Sequence, residues 1–369
     1  MFGGYYRGRR VLITGHTGFK GGWLALWLKH LGANVHGLSL PPPTNPNLHE
    51  VIRDFAFDGE TICDVRDLAA TQAAIAQAAP EVLFHLAAQP LVRQSYTEPL
   101  ETLETNTLGT AHVLEAVRRL RLPCAVVVVT TDKCYENHGG DLAYQEHDPL
   151  GGHDLYSTSK AAAELVVEGW RRSFFRAEPS LGGVASARAG NVIGGGDYGQ
   201  DRLVPDCVRA LLAGRPIEVR NPSATRPWQH AFDCLSGYLL LGARLAQAER
   251  NSPLASAFNF GPGAQVNPQV SAVVEEVLRL WPGQWHPTTT AHAPHEAASL
   301  NLAIEKARAL LGWAPVWGFS ETIRATVSWY RERHLAGQRD MVGFSLAQLE
   351  SYVAAARTNS AAWASDQPG

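Results

Sequence analysis

The chain has 369 residues, 45% of them hydrophobic and 18% charged, with a formal net charge of −3. That length points to more than one average domain, and the balance fits a globular protein with a large core. No basic stripe suggests nucleic acid, no basic amphipathic segment suggests a membrane, and no apolar run reaches the ~18 residues a bilayer span needs.

Residues 1–10 are rich in Gly, Tyr and Arg and show no apolar signal core, so a cytoplasmic setting is expected. The cysteines (Cys63, Cys124, Cys134, Cys207 and Cys234) are odd in number, far apart and form no CxxC. Buried inert thiols are expected, and neither a disulfide framework nor a metal site.

The first half alternates short β-branched runs with longer helical patterns. Residues 10–14 (RVLIT) read as a strand. Residues 18–31 read as a helix with Trp23, Leu24, Trp27, Leu28 and Leu31 on one face. Strands are expected at 33–38, 61–63 and 81–86, with a helix at 66–79 and another over about 100–120. Residues 125–129 (AVVVV) form the continuous apolar run of a strand buried on both faces. A helix over about 155–175 and a strand near 183–188 follow. Such alternation is the mark of an α/β fold, a Rossmann-type doubly wound parallel sheet, with ligands outside the carboxyl ends of the strands.

The second half is less regular, with loops at 194–199 and 221–228 and helices near 206–213, 272–280, 302–311 and 321–333. Three regions are expected: a cofactor-binding sheet domain at 1–190, to which later segments return, a smaller mixed α/β substrate domain at 191–340, and a partly frayed extension at 341–369.

The first strand runs into Thr14-Gly15-His16-Thr17-Gly18-Phe19-Lys20-Gly21 and then a helix. Glycines at 15, 18 and 21 suit a tight turn, close approach to a pyrophosphate, and close packing of helix on strand. A helix N-terminus adds unpaired N–H groups for the anion. The second strand ends Gly37-Leu38-Ser39-Leu40, with neither the acid that takes a ribose hydroxyl nor an arginine for a 2′-phosphate. The residues alone therefore leave NAD against NADP open. Asp64, with Val65 beside it, is a candidate for the adenine.

Tyr156 and Lys160 stand at i and i+4 at the start of a helix and share a face. A nearby ammonium favours phenolate, which makes such a tyrosine a base for a sugar hydroxyl. Thr131, Asp132 and Lys133 end the apolar strand upstream, where a hydroxyl beside the tyrosine is expected.

In this order and spacing, GxxGxxG, HLAA (85–88), TNxxGT (105–110) and YxxxK resemble the extended short-chain dehydrogenases of the NAD-dependent epimerase/dehydratase family. Long stretches resemble the CDP-glucose 4,6-dehydratases within it: GHTGFKGGWLALWL (15–28), HLAAQPLVRQSY (85–96), TTDKCYEN (130–137), GGHDLYSTSKAAAEL (151–165), RAGNVIGGGDY (188–198), DRLVPD (201–206) and RPWQH (226–230). The resemblance reaches to about residue 335.

It implies a lyase that turns CDP-D-glucose into CDP-4-dehydro-6-deoxy-D-glucose and water, with NAD as cofactor. Tyr156 and Lys160 would oxidise C4, with Thr131 at the C4 oxygen. Asp132 would protonate the departing 6-hydroxyl, and Lys133 would act at C5, as a base or as a cation beside an enolate with water carrying the proton. Lysine rather than glutamate after the Asp is the CDP-linked pattern. Cofactor contacts are implied for Gly15, Thr17, Gly18, Phe19, Lys20, Gly21, Asp64, Val65, Leu86, Ala87, Ala88, Gln89, Asn106, Tyr156 and Lys160. Substrate contacts are implied for Arg93, Asn191, Arg202 and Arg226, arginine forks suiting a diphosphate.

Two departures stand out. Ala293-Pro294-His295-Glu296 replaces a basic R-P-G-D stretch, and Gly139-Gly140 replaces a tryptophan. Other histidines, His30, His49 and His334 among them, read as surface residues. The helices at about 100–120 and 155–175 are the dimer-making pair of the superfamily, so a homodimer or higher homo-oligomer is expected. The rivals are a nucleotide-sugar epimerase or reductase, a dehydratase for another nucleotide, a dehydrogenase with net redox, and a silent NAD-binding protein.

Overall fold

The computed structural model describes residues 1–140, 143–249, 251–263, 267–288, 300–337 and 340–365. Its strands are β1 (Arg10–Thr14), β2 (Asn34–Ser39), β3 (Gly59–Ile62), β4 (Val82–His85), β5 (Ala125–Val129), β6 (Ala143–Tyr144), β7 (Val184–Arg188), β8 (Val192–Ile193), β9 (Ile217–Val219), β10 (Gln229–His230), β11 (Ala257–Asn259), β12 (Trp285–Pro287) and β13 (Asn301–Leu302). Seven of them form one parallel sheet in the order β3-β2-β1-β4-β5-β7-β11. The expected doubly wound sheet is present. The pairs β8–β10, β9–β12 and β6–β13 are small parallel ladders outside it.

The helices are α1 (Phe19–His30), α2 (His49–Ala56), α3 (Leu68–Ala78), α4 (Val92–Thr97), α5 (Pro99–Leu103), α6 (Gly109–Arg119), α7 (Leu155–Trp170), α8 (Leu203–Leu212), α9 (Ala231–Gln247), α10 (Val270–Leu280), α11 (Glu305–Leu311), α12 (Phe319–Leu335) and α13 (Met341–Thr358). Residues 302–304, expected to open a helix, are instead the end of β13 and the turn into α11.

Three differences from the sequence reading have physical causes. Helix α1 is buried all round from Gly21 to Leu28 rather than on one face, because it lies between the sheet, α2, α9 and α13. Helix α9 shows no one-sided period for the same reason: it packs on β4, β5 and β7 and is apolar on nearly every side. The chain then returns to the sheet as β11. The tail after about Ala356 is not frayed as far as it is described. Trp363 is buried and stacks on Phe2 at 5.3 Å and Tyr352 at 5.8 Å, which ties both chain ends to α1.

The helix expected over 100–120 is α5, a π turn at Glu104–Leu108, and α6. The π turn aims Asn106 inward, to the loop after β4.

Candidate active site

Register brings the loops of the site together. Thr14 at the end of β1 lies opposite Leu38 on one side and His85 on the other. Its hydroxyl meets His85 Nδ1 at 2.6 Å, and His85 Nε2 meets the Thr110 hydroxyl at 3.1 Å. Burial, with Lys160 adding, pushes His85 down to about 3, so the ring is a neutral link between strand ends and α6.

Gly15 adopts φ +75°, and a Cβ there would lie 2.6 Å from the Ala87 amide nitrogen. A Cβ on Gly21 would lie 2.3 Å from the Gly15 carbonyl oxygen. Gly18 has ordinary φ of −78° and is the N-cap of α1. Crowding by the protein's own backbone therefore demands glycine at 15 and 21. No side chain caps α1, so its first amides face the loop as an anion site. Thr17 donates to the Leu40 carbonyl and contacts the Ser39 hydroxyl, each at 2.9 Å, closing the loop onto the end of β2. These features fit a dinucleotide pyrophosphate.

Other residues assigned to the cofactor hold the loops as well as facing them. Gln89 N–H donates to Asn106 Oδ1 at 2.8 Å, and Asn106 Nδ2 donates to the Gln89 carbonyl and the Ser159 hydroxyl. Leu86, Ala87 and Ala88 are half-buried under that clamp. Phe19 packs beside Gly194. Asp64 is gripped by the Arg66 guanidinium at 2.6 and 2.9 Å, which holds its carboxyl below the usual range. Val65 is buried, and its carbonyl accepts from His112 Nδ1 at 3.0 Å. Lys20 is half-buried, with Nζ 5.7 Å from the Tyr238 ring, close enough to Lys160 to push that lysine's pKa down.

Thr131, Asp132 and Lys133 form the turn after β5, and Asp154 caps α7 through the Ser157 amide at 2.8 Å. That cap places Tyr156 in the first turn of α7 and Lys160 one turn on. Asp132 is 1% exposed. The Thr131 hydroxyl donates to its Oδ1 at 2.9 Å, and Asn191 Nδ2 donates to its Oδ2 at 3.2 Å. A Cβ on Gly190 would stand 1.9 Å from Asp132 Oδ2, so glycine there makes room for the carboxylate. Neither that role of Gly190 nor the Asn191 contact was legible from spacing.

The expectation that Lys160 makes Tyr156 a phenolate is corrected for this state of the site. Burial pushes Tyr156 up to about 12, with a hydrogen bond to Thr131 pulling the other way. Burial and then Lys20 push Lys160 down to about 8. Burial is the largest cause of both shifts, and the positive charge that pulls Tyr156 down is that of Arg202.

Of the arginines, Arg202 is nearest the chemistry. It pairs with buried Asp197 at 2.8 Å, and its charge lowers the pKa of Tyr156. Arg93 lies 3.4 Å from Asp201, which also binds Arg220 at 2.7 Å. Arg220 was missed because nothing in its local sequence marks it. Arg226 donates to the Thr225 carbonyl at 2.8 Å. Gly139 and Gly140 both take positive φ beside open space. Ala293-Pro294-His295-Glu296 lies outside the described residues. All five cysteines are buried and free.

A parallel sheet in this strand order, a glycine loop after its first central strand and a Thr–Tyr–Lys set define a protein of the extended short-chain dehydrogenase class. The chain belongs to the GDP-mannose 4,6 dehydratase family, whose model matches residues 12–326. It is 43% identical over 356 residues to a CDP-glucose 4,6-dehydratase of Salmonella typhimurium, covering 95% of this chain and 98% of that one. It is 26% identical to a dTDP-glucose 4,6-dehydratase of Neisseria gonorrhoeae, covering 87% and 95%. Among solved structures it is similar to MoeE5 in complex with UDP-glucose and NAD, with a TM-score of 0.72 and 26% identity over 88% of this chain and 99% of that one.

Proposed function

We propose that the protein is a CDP-glucose 4,6-dehydratase that forms CDP-4-dehydro-6-deoxy-D-glucose and water. The observation that carries this reading is Asp132 held between Thr131 and Asn191 beside Tyr156, an acid that an epimerase does not need. The 43% identity over nearly the whole chain to a relative of that name favours the CDP-linked sugar over other nucleotides.

When bound, NAD supplies the acceptor for the C4 hydride and the source of the hydride at C6. Tyr156 would take the proton of the 4-hydroxyl, its phenolate favoured by the charge of Arg202 and by the positive nicotinamide that bound NAD would add, with Thr131 hydrogen-bonded at the same oxygen. The resulting ketone acidifies the C5 proton. Asp132 gives a proton to the 6-hydroxyl as it leaves as water. Lys133 acts at C5, either as the base or as a charged group that steadies the enolate while water moves the proton. Arg202, Arg93, Arg226 and Asn191 are the groups assigned to the diphosphate, on the strength of the family resemblance and of the fit of arginine forks to phosphate oxygens. A proton returns to C5 from the Lys133 side as hydride arrives at C6, and the proton lost from O4 balances the one delivered to O6, so the reaction has no net redox and no net proton change.

The test is CDP-glucose carrying deuterium at C4, incubated with the protein and NAD beside UDP-glucose, dTDP-glucose and GDP-mannose. Label at C6 of a 4-keto product, from CDP-glucose alone and without accumulating reduced cofactor, is expected. Epimerised sugar with label still at C4 would move the protein to an epimerase.

The protein is further read as a cytoplasmic homodimer. Among the described residues no helix is long and apolar enough to cross a membrane. Leu100, Leu108 and Leu165, on α5, the π turn and α7, are exposed large apolar residues on segments that pack together. Light scattering should give a dimer, and Leu108→Glu with Leu165→Glu should give a folded monomer. A monomeric parent protein would contradict this.

A further inference from the structure

Three residues from separate segments meet at one point. His16 is in the glycine loop, His49 opens α2, and Glu60 is in β3. The sequence reading placed His49 at the surface and expected no metal. The structure instead leaves His49 7% exposed and His16 fully buried. Both Nε2 atoms converge on one oxygen, Glu60 Oε1, at 2.9 Å from His16 and closer still from His49. One ligand-competent atom of each residue lies within 4.8 Å of the other two.

The surroundings are those of a built site. The two imidazoles meet edge-on at 5.6 Å, and Phe57 packs on both at 4.9 and 5.7 Å. Glu60, with its side chain 23% exposed, is the opening to solvent.

As a neutral ring, the form that burial favours, His16 is frustrated. Its Nδ1 is buried and makes no hydrogen bond of good geometry, with the Leu38 backbone its polar neighbour. A proton on Nε2 serves Glu60 but leaves Nδ1 a bare buried acceptor. A proton on Nδ1, the side of the Leu38 backbone, turns the Nε2 lone pair against the carboxylate. A cation between Nε2 and Oε1 removes that conflict, because both atoms then face it with lone pairs. The proton moves to Nδ1, as in most metal-bound histidines.

We propose that His16 Nε2, His49 Nε2 and Glu60 Oε1 bind a first-row divalent transition metal of the zinc class, with water completing the shell. Two imidazoles and a carboxylate are a usual zinc donor set. Tetrahedral bonds of about 2.0–2.2 Å put ligand atoms about 3.3–3.5 Å apart, so the Glu60 side chain withdraws slightly on binding. The ion ties the phosphate loop to α2 and β3. It plays no part in the chemistry at Tyr156, so the site stands apart from the proposed activity.

The full chain, stripped with a chelator, is titrated with Co(II) and then with Zn(II). One equivalent of Co(II) with the strong visible bands of tetrahedral coordination is expected, displaced by zinc, with a higher melting temperature for the loaded protein. His49→Gln and Glu60→Gln should each weaken binding by more than about 100-fold, since losing even an outer-shell partner costs about 10–100-fold. X-ray absorption of the zinc-loaded wild type should show two imidazoles and no sulfur, which decides the matter even where a variant fails to fold. Failure of the wild type to take up a stoichiometric ion, sulfur ligation, or unchanged binding by both variants would overturn the site.

Discussion

Asp132→Asn is expected to stop the elimination and leave oxidation at C4 in place. The carboxylate is 1% exposed and held on both oxygens, by the Thr131 hydroxyl at 2.9 Å and the Asn191 amide at 3.2 Å. Asparagine keeps the shape but has no acid proton to give. Loss of a positioned general acid costs about 10²–10⁴-fold, so formation of the 4-keto-6-deoxy product should fall by that factor. With CDP-glucose and NAD, reduced-nicotinamide absorbance should rise toward one equivalent per site, which the wild type does not show. Gly190→Ala should give the same split by another route. Its methyl would stand 1.9 Å from Asp132 Oδ2 and push the acid off its position while leaving its chemistry intact. Product formation at the wild-type rate in Asp132→Asn would remove Asp132 from the mechanism.

The second large effect is on stability. Behind the catalytic turn, Glu164 and Arg188 form an ion pair at 2.9 Å with side chains 3% and 4% exposed. Glu164 also accepts from the hydroxyls of Thr130 and Ser186, and Arg188 donates to the Tyr135 hydroxyl, which donates to Asn259. The network joins α7 to β5, β7 and β11 one helical turn beyond Lys160. Glu164→Gln leaves the Arg188 charge buried without its counter-ion and should cost about 3–5 kcal/mol, read from urea unfolding. Glu164→Gln with Arg188→Met should recover part of that, because no unpaired charge remains. Burial pushes the Glu164 carboxyl up, but Arg188 and the two hydroxyls together hold it below the usual carboxylate range. A depressed folded value means that this contribution is whole above about pH 4.5 and is lost as the pH falls through the folded value. Equal stability of Glu164→Gln and wild type would show the pair to be dispensable.

What the amino-acid sequence determined alone was whatever depends on near neighbours. The alternation of AVVVV-type runs with amphipathic stretches marks the parallel sheet, because each strand and helix carries its own period. The glycines at 15 and 21 and Tyr156 with Lys160 on one turn are also local, so the site's chemistry and family were legible from them.

What only the tertiary structure decided involves groups far apart in the chain. Crossovers of the sheet bring Gly190 and Asn191 under Asp132, set Arg220 beside Asp201 and Arg93, and drive His49 and Glu60 onto His16. Helices α1 and α9 are enclosed on all sides, so their period carries no direction, and the tail is ordered by Trp363 stacking on residues near both ends of the chain. Even the direction in which the Tyr156 pKa moves is set first by burial rather than by its spacing to Lys160. Desolvation depends on everything packed around a group, and a chain read one residue at a time does not carry that information.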